Sequence, residues 1–320
     1  MDFKQINKIS AYDMAQLDGL LTTRLKSDVA LVNQISGYII SSGGKRLRPL
    51  IVLLLCGAMG YDKNDKFIMA AVIELIHTAT LLHDDVVDES STRRGDNTAN
   101  ENWGNAAAVL VGDFLYSRAF EMMVEPNSMQ IMQIMSSATN RIAEGEVIQL
   151  LNCGKVDLSE DEYFATIEKK TAVLFEAASS CAGVLSENNE TEKLAKFGIN
   201  LGNAFQIIDD ILDYKSDKQT MGKEVGDDLS EGKVTLPVIY TLQNANSRDR
   251  EFLVNAINNQ DITNITKIIK IINDNNGFDY ALTIAQKCAD TAKENLNFLP
   301  QSDYKSALIS LCDLSVQRKS

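Results

Sequence analysis

The sequence predicts an all-α fold, and three observations lead to this prediction. Only four of the 320 residues are prolines, so long segments with helical periodicity run without interruption. The chain shows neither the alternating pattern of strands nor a β-α-β rhythm. It also contains no Pro/Gly/Ser-rich linker. We therefore expect one domain over residues 1–320, a bundle of ten or more helices around a central cavity.

The long helical runs can be placed in order along the chain. Ile68 to Asp88 is apolar on nearly every face, which predicts a buried central helix. Polar breaks such as 125–127 and 186–189 have the length of helix–helix loops. Around these breaks lie the other long runs, Ala106 to Val124, Ser128 to Leu151, Asp161 to Val184 and Glu190 to Tyr214.

Composition limits the partners and the location of the protein. A formal net charge of −13 argues against nucleic acid as a partner. The five cysteines show no C-x-x-C spacing, which is typical of reduced thiols in a cytosolic protein. The first residues lack a signal-peptide pattern, and the most apolar stretch, Leu50 to Met59, is too short to span a bilayer. We expect a cytoplasmic protein without a membrane anchor.

Two short aspartate clusters carry most of the chemical information. Asp84, Asp85 and Asp88 form one D-D-x-x-D pattern, and residues 209–213 form a second. In each cluster the first and last aspartates are four residues apart, so they share one face of a helix. Carboxylates held this close repel one another unless a cation lies between them. Because Mg²⁺ takes one or two carboxylates plus phosphate oxygens, the pair of clusters predicts a diphosphate held by magnesium.

Residues around the first cluster strengthen this prediction. His77 lies seven residues before Asp84 and therefore on the same helix face. Arg93 and Arg94 follow the cluster, and guanidinium groups bind phosphate oxygens in a bidentate manner. The alternative is a solvated helix end in which these acids simply pair with the nearby arginines.

Further basic and amide groups occur in separate segments. Gly43 and Gly44 precede three cations in G-G-K-R-L-R-P, a sequence that allows close backbone approach to an anion. Gln206 lies three residues before Asp209, so its amide can lie beside the second cluster. Three lysines also belong to the set, although each alone is more often a surface residue than a ligand: Lys170 next to Thr171, then Lys223 and Lys233.

Taken together, these segments resemble the trans-isoprenyl diphosphate synthases, also called polyprenyl synthetases. The resemblance covers nearly the whole chain, from Gly43 to the C-terminal helices. It rests on GGKRLRP, LLHDDVVDESSTRRG, EKKTA, FQIIDDILDY and GKEVGDDLSEGKVTLP. The resemblance implies an all-α isoprenoid synthase fold and a prenyltransferase that condenses isopentenyl diphosphate with an allylic diphosphate. It also implies two or three Mg²⁺ ions as cofactors.

The resemblance also implies a role for each site residue. Lys45, Arg48 and His77 would hold isopentenyl diphosphate, assisted by Arg94. Arg46 has no role in this pattern and is expected to be solvated. Mg²⁺ on the allylic diphosphate would be held by Asp84, Asp88 and Asp209, with Asp85 and Asp213 acting less directly. The allylic diphosphate itself would contact Arg93, Lys170, Thr171, Gln206, Lys223 and Lys233.

Product length is expected to depend on the helix that ends at Asp84. In the family, aromatic residues four or five positions before the first aspartate accompany short products, and here those positions hold Thr80 and Ala79. Ile76 and, on the neighbouring run, Met132 and Met135 are candidates for a deeper floor. The resemblance favours farnesyl diphosphate as the primer and a product of about octaprenyl length for quinone side chains.

Other readings remain open at this stage. A shorter-chain synthase would share the same motifs. A non-catalytic subunit of a heteromeric synthase would be expected to have degraded aspartate clusters, and a class I terpene cyclase would lack the isopentenyl site. The resemblance also favours a homodimer through Ala106 to Val124. The very hydrophobic product makes transient contact with a membrane surface plausible.

Overall fold

The computed structural model describes residues 1–41, 44–93, 95–215 and 225–318. These residues are almost entirely helical, which confirms the all-α prediction. A single two-residue ladder, β1 (Thr92–Arg93) with β2 (Asp96–Asn97), accounts for the strands found there. The α-helices, in chain order, are α1 (Phe3–Arg24), α2 (Ala30–Ser41), α3 (Leu47–Ala58), α4 (Asp65–Val87), α5 (Ala99–Trp103), α6 (Asn105–Met123), α7 (Met129–Asn152), α8 (Glu160–Ile167), α9 (Val173–Leu185), α10 (Thr191–Lys215), α11 (Asp227–Ser230), α12 (Leu236–Asn244), α13 (Ser247–Asn258), α14 (Ile265–Asp274), α15 (Gly277–Glu294) and α16 (Asp303–Gln317).

Helix α4 is the predicted central helix. It packs against α1, α3, α6 and α9, and its residues 69–76 are buried. In length and apolar composition α4 would suffice to cross a bilayer, but 61% of its most apolar window is buried inside the protein. That burial is typical of a core helix, because a spanning helix would expose this surface to lipid.

The run predicted over Asp161 to Val184 is interrupted by a π-helical turn, Glu168–Ala172, between α8 and α9. Two glycines, one on each of two neighbouring helices, lie close to the backbone of this turn. A Cβ atom on Gly145 of α7 would lie 2.6 Å from the backbone N of Lys170. A Cβ atom on Gly202 of α10 would lie 2.5 Å from the Cα of Ala172. The absence of side chains at both glycines therefore lets two helices hold the turn closely, and π turns frequently mark functional positions.

The C-terminal helix α16 returns to the centre of the molecule. It packs on α3, α10 and α15, and it buries Leu308, Leu311 and Cys312. This packing places the residue after the helix, Arg318, beside α10. The single-domain reading of residues 1–320 stays a prediction.

Candidate active site

A cavity of about 830 Å³ lies between α3, α4, α7 and α10. Asp84 and Asp88 reach it from the C-terminal end of α4. Asp209 and Asp213 reach it from the last turns of α10. The fold thus brings the two aspartate clusters, which are distant in sequence, to one enclosed space.

In the first cluster each aspartate has its own surroundings. Asp85 is 1% exposed, and its Oδ1 accepts hydrogen bonds from Arg93 Nε at 2.9 Å and Nη2 at 2.8 Å. Asp88 Oδ2 pairs with Lys233 Nζ at 3.1 Å. Burial raises the pKa of Asp84; the charge of Lys170 opposes this effect and that of Asp88 adds to it. A further cation that enters the cavity would therefore stabilise the ionised form of Asp84.

The second cluster is also paired. Asp209 Oδ1 contacts Arg318 Nη2 at 2.7 Å, and its side chain is 36% exposed toward the cavity. Because protein atoms otherwise surround the carboxylate, burial raises its pKa, while the charge of Arg318 lowers it. Asp210 is 3% exposed and accepts hydrogen bonds from Tyr163 and Gln206. Burial, followed by the charge of Asp228, raises the pKa of Asp210.

The carboxylates fit a metal that arrives with a phosphate ligand. Within the described ranges, no three Asp, Glu, His or Cys side chains are grouped closely enough to hold an ion by themselves. Mg²⁺ does not require such a group, because phosphate oxygens and water complete its octahedral shell. Asp84 and Asp88 line the same cavity as Asp209 and Asp213. This arrangement of hard ligands suits a magnesium–diphosphate complex.

A group of basic side chains also lines the cavity. Arg48 Nη1 is 3.1 Å from His77 Nε2, and the guanidinium of Arg48 stacks on the Phe175 ring at 4.4 Å. Lys45 is exposed at the cavity mouth, where the surrounding protein atoms and then the charge of Arg318 lower its pKa. Lys45, Arg48 and His77 thus line one cavity, and their binding of a common anion stays a prediction. Arg94 and Lys223 lie outside the described residues.

Arg46 differs from its expected solvated state. Its side chain is 17% exposed, and it pairs with Asp18 of α1. Arg46 Nη2 also donates to the carbonyl of Ile40 at 3.1 Å, and Nε lies 3.8 Å from Glu74 Oε1 of α4. The expectation was wrong because Arg46 adopts a left-handed backbone conformation, φ 43°, at the start of α3, and its side chain lies among α1, α2 and α4.

The π-helical turn supplies two more of the predicted residues. Lys170 Nζ pairs with Glu146 Oε2 at 2.7 Å. Thr171 Oγ1 donates to Gln206 Oε1 at 2.8 Å, and both residues line the cavity. Burial raises the pKa of Glu146, while the charge of Lys170 lowers it. Glu146 is therefore an acidic neighbour of the first cluster that the sequence reading did not include.

The residues expected to set product length divide into two groups. Thr80 lines the cavity on the same face of α4 as Asp84. Ala79 and Ile76 are fully buried and do not line it. The expectation that Ala79 borders the open channel is therefore corrected: a residue five positions before Asp84 lies well round the helix from it. Met135 is fully buried in the apolar core.

Two further site residues escaped the sequence reading. Arg318 lines the cavity and donates to the carbonyl of Phe205 at 2.6 Å, while its guanidinium stacks on the Phe205 ring at 3.8 Å. Tyr163 Oη donates to Asp210 Oδ2 at 2.6 Å. No local motif marks either residue. Only the packing of α16 and α8 against α10 reveals them.

Comparisons with known proteins agree with this geometry. The family model described as polyprenyl synthetase matches residues 29–274. The chain is 45% identical over 321 residues to octaprenyl diphosphate synthase of Escherichia coli (strain K12), with 99% of each chain covered. It is 44% identical to the all-trans-nonaprenyl-diphosphate synthase (geranyl-diphosphate specific) of Rhodobacter capsulatus, again with 99% of each covered.

The similarity extends to solved structures. A polyprenyl synthase from Caulobacter crescentus CB15, crystallised with calcium and isoprenyl diphosphate, superposes with a TM-score of 0.96 at 41% identity, and the match covers 100% of this chain and 98% of that one. Family, fold and site geometry lead to the same conclusion. The chain belongs to the polyprenyl synthetase family and is a long-chain trans-prenyltransferase.

Proposed function

We propose that this enzyme extends farnesyl diphosphate with isopentenyl diphosphate to a product of about octaprenyl length. Relatives from Escherichia coli and Haemophilus influenzae with this product in their names are 45% and 43% identical to the chain. The nonaprenyl enzyme, at 44%, makes a slightly longer product the main competitor. A relative named as a short-chain synthase is 36% identical, which disfavours the shorter-chain alternative.

One observation carries the proposal: both aspartate clusters and a group of basic side chains line the same cavity. Two diphosphates of different chemical roles need these two environments. The allylic diphosphate must leave, so metal and cations should surround it. The diphosphate of isopentenyl diphosphate only anchors its substrate, so basic side chains without metal suffice.

We assign the metal to Asp84, Asp88, Asp209 and Asp213, with two or three Mg²⁺ ions. When bound, these ions would draw charge from the allylic diphosphate and so weaken its C–O bond. Lys170 and Lys233 add positive charge on the same side of the cavity, and Arg93 does so while held by Asp85. Asp85 thus acts through Arg93.

The protein groups then guide the condensation. Lys45, Arg48 and His77 hold isopentenyl diphosphate with its double bond toward the allylic carbon. The C–O bond breaks, the double bond of isopentenyl diphosphate attacks the allylic cation, and the departing diphosphate takes the released proton. The oxygens of Thr171 and Gln206 stabilise the cation electrostatically without reacting with it.

A direct assay tests this proposal. The enzyme is incubated with Mg²⁺, labelled isopentenyl diphosphate and farnesyl diphosphate, and the dephosphorylated products are sized by chromatography. Asp84→Ala should lower turnover by at least about a thousandfold, because a metal ligand is lost. Asp161→Ala, which removes an exposed carboxylate on α8, is the matched control and should retain activity. Full activity of Asp84→Ala would contradict the metal assignment.

We also propose a cytoplasmic homodimer whose product supplies quinone side chains. Several large apolar side chains are exposed on α6 and α7: Val109, Leu110, Val147, Leu150 and Leu151. Such groups are typical of a surface that a second copy covers. Light scattering of the purified protein should therefore give the mass of a dimer.

A further inference from the structure

A line of hydrogen bonds runs from Tyr163 of α8 to the π-helical turn. Tyr163 Oη donates to Asp210 Oδ2 at 2.6 Å. Gln206 Nε2 donates to the other oxygen, Asp210 Oδ1, at 2.8 Å. Thr171 Oγ1 then donates to Gln206 Oε1 at 2.8 Å. All four side chains border the cavity, and Tyr163, Asp210 and Thr171 are each less than 9% exposed.

The direction of these bonds fixes which atoms face the substrate. The carboxylate of Asp210 attracts the NH₂ end of Gln206, so the amide oxygen must point to Thr171. Thr171 has a single hydroxyl hydrogen and gives it to this oxygen. The Thr171 oxygen is then left with lone pairs to present to the cavity. An electron-rich oxygen at this place suits a developing positive charge.

Tyr163 donates the first hydrogen bond of this line, to Asp210. Its ring packs in the apolar cluster formed with Ile207, Ile211 and Leu236, so the side chain has little freedom. Burial raises the pKa of Tyr163 well above its usual value, and the hydroxyl therefore stays protonated as a donor. With Tyr163 on one oxygen, Asp210 is held with its other oxygen toward Gln206.

We propose that Tyr163 is a positioning residue for the condensation, which acts through Asp210 and Gln206 to keep the lone pairs of Thr171 directed at the allylic cation. This inference rests on the proposed roles of Thr171 and Gln206. It assigns a function to a tyrosine whose hydroxyl donates to Asp210. Hydrogen bonds that polarise one another in this way are stronger together than singly.

Tyr163→Phe removes the hydroxyl and keeps the packed ring. We expect kcat to fall by about tenfold while the KM values of both substrates change less than about twofold, because the cation exists only after binding. Tyr280→Phe is the matched control. Tyr280 Oη also donates to a carboxylate, Glu160 Oε2 at 2.8 Å, but does not border the cavity. This control should keep kcat within about twofold of the parent enzyme.

A double-mutant cycle distinguishes an effect of Tyr163 through the hydrogen-bond line from a general loss of rigidity at the site. Gln206→Ala already breaks the hydrogen-bond line. In that background Tyr163→Phe should lower kcat by less than about twofold more. An equal tenfold loss in both backgrounds would overturn the proposal, as would an unchanged kcat in the single variant or a rise in KM alone. Thermal melting of each variant shows whether the fold is intact. If the parent enzyme condenses the two diphosphates but Tyr163→Phe matches it, only the positioning role fails. If the parent enzyme forms no prenyl product, the proposed function itself fails.

Discussion

Enlarging Thr80 should shorten the product. Thr80 lies four residues before Asp84, which places it about 6 Å down the axis of α4 and on the same face. Its side chain lines the cavity, whereas Ala79 and Ile76 are buried in the apolar core. A growing hydrocarbon chain that leaves the metal site must therefore pass Thr80 before it reaches that core.

Thr80→Tyr places an aromatic ring across this route. The side chain borders open space, so we expect a stability cost of less than about 1 kcal/mol. The same ring at Ala79 would overpack a site with 0% exposure, at a cost of about 1–3 kcal/mol. For a chain of 320 residues, each kcal/mol lowers Tm by about 1.5 °C. Ala79→Tyr, whose ring would enter the buried core, should therefore have a Tm lower by several degrees.

The assay sizes dephosphorylated products made from labelled isopentenyl diphosphate and farnesyl diphosphate. The products of Thr80→Tyr should reach only about geranylgeranyl length, while the rate of the first condensation stays near that of the parent enzyme. Thr80→Val is the control, because it keeps the shape and removes only the hydroxyl that donates to the carbonyl of His77 at 2.8 Å. Its products should be unchanged. Long products from Thr80→Tyr, or equal shortening by Thr80→Val, would refute this reading of the cavity.

Two further predictions concern metal binding and pH. Arg318→Gln removes the guanidinium that lies 2.7 Å from Asp209, so Mg²⁺ alone should stabilise this variant at lower concentration than the parent. A thermal melt titrated with Mg²⁺ without diphosphate checks this, and an unchanged midpoint would contradict it. Burial raises the pKa of the Cys56 thiol to about 12. The unfolded thiol ionises near pH 8.5, so the folded chain binds the extra proton and the free energy of unfolding should fall between about pH 8.5 and 12. Denaturant titrations should show a smaller fall in Cys56→Ala, and an identical pH dependence in the two proteins would count against burial as the cause.

Local patterns predicted the central helix and both aspartate clusters. The run Ile68 to Asp88 appears as α4, Asp65–Val87, because an apolar surface on every face can only be buried. The i, i+4 spacing of Asp84 and Asp88 likewise fixes their common face in any helix. Features of this kind depend on residues a few positions apart and can be read from one sequence.

Features that depend on distant segments could not be read in this way. The π-helical turn needs the close approach of Gly145 and Gly202, which belong to two different helices. Arg318 reaches Asp209 only because α16 packs back on α10. The position of Ala79 depends on helix geometry rather than on distant segments. It lies five positions before Asp84, and the resulting angle round the helix places it away from the cavity.

The pairing of charges in the cavity bears on how the site accepts its substrates. Asp88 and Asp209 are held by Lys233 and Arg318, so each carboxylate already has a cation beside it. Burial by itself would lower the pKa of Lys233, but Asp228, then Asp88 and Glu231, outweigh it and raise that pKa. When a magnesium–diphosphate complex enters, we expect the carboxylates to exchange these bases for metal and the released bases to turn to phosphate oxygens. Both partners of each pair then keep a counter-charge throughout, and the large cost of an uncompensated buried charge is avoided in either state. Binding the metal without diphosphate would leave Arg318 without the carboxylate that it holds, and for this reason we expect metal and diphosphate to bind together.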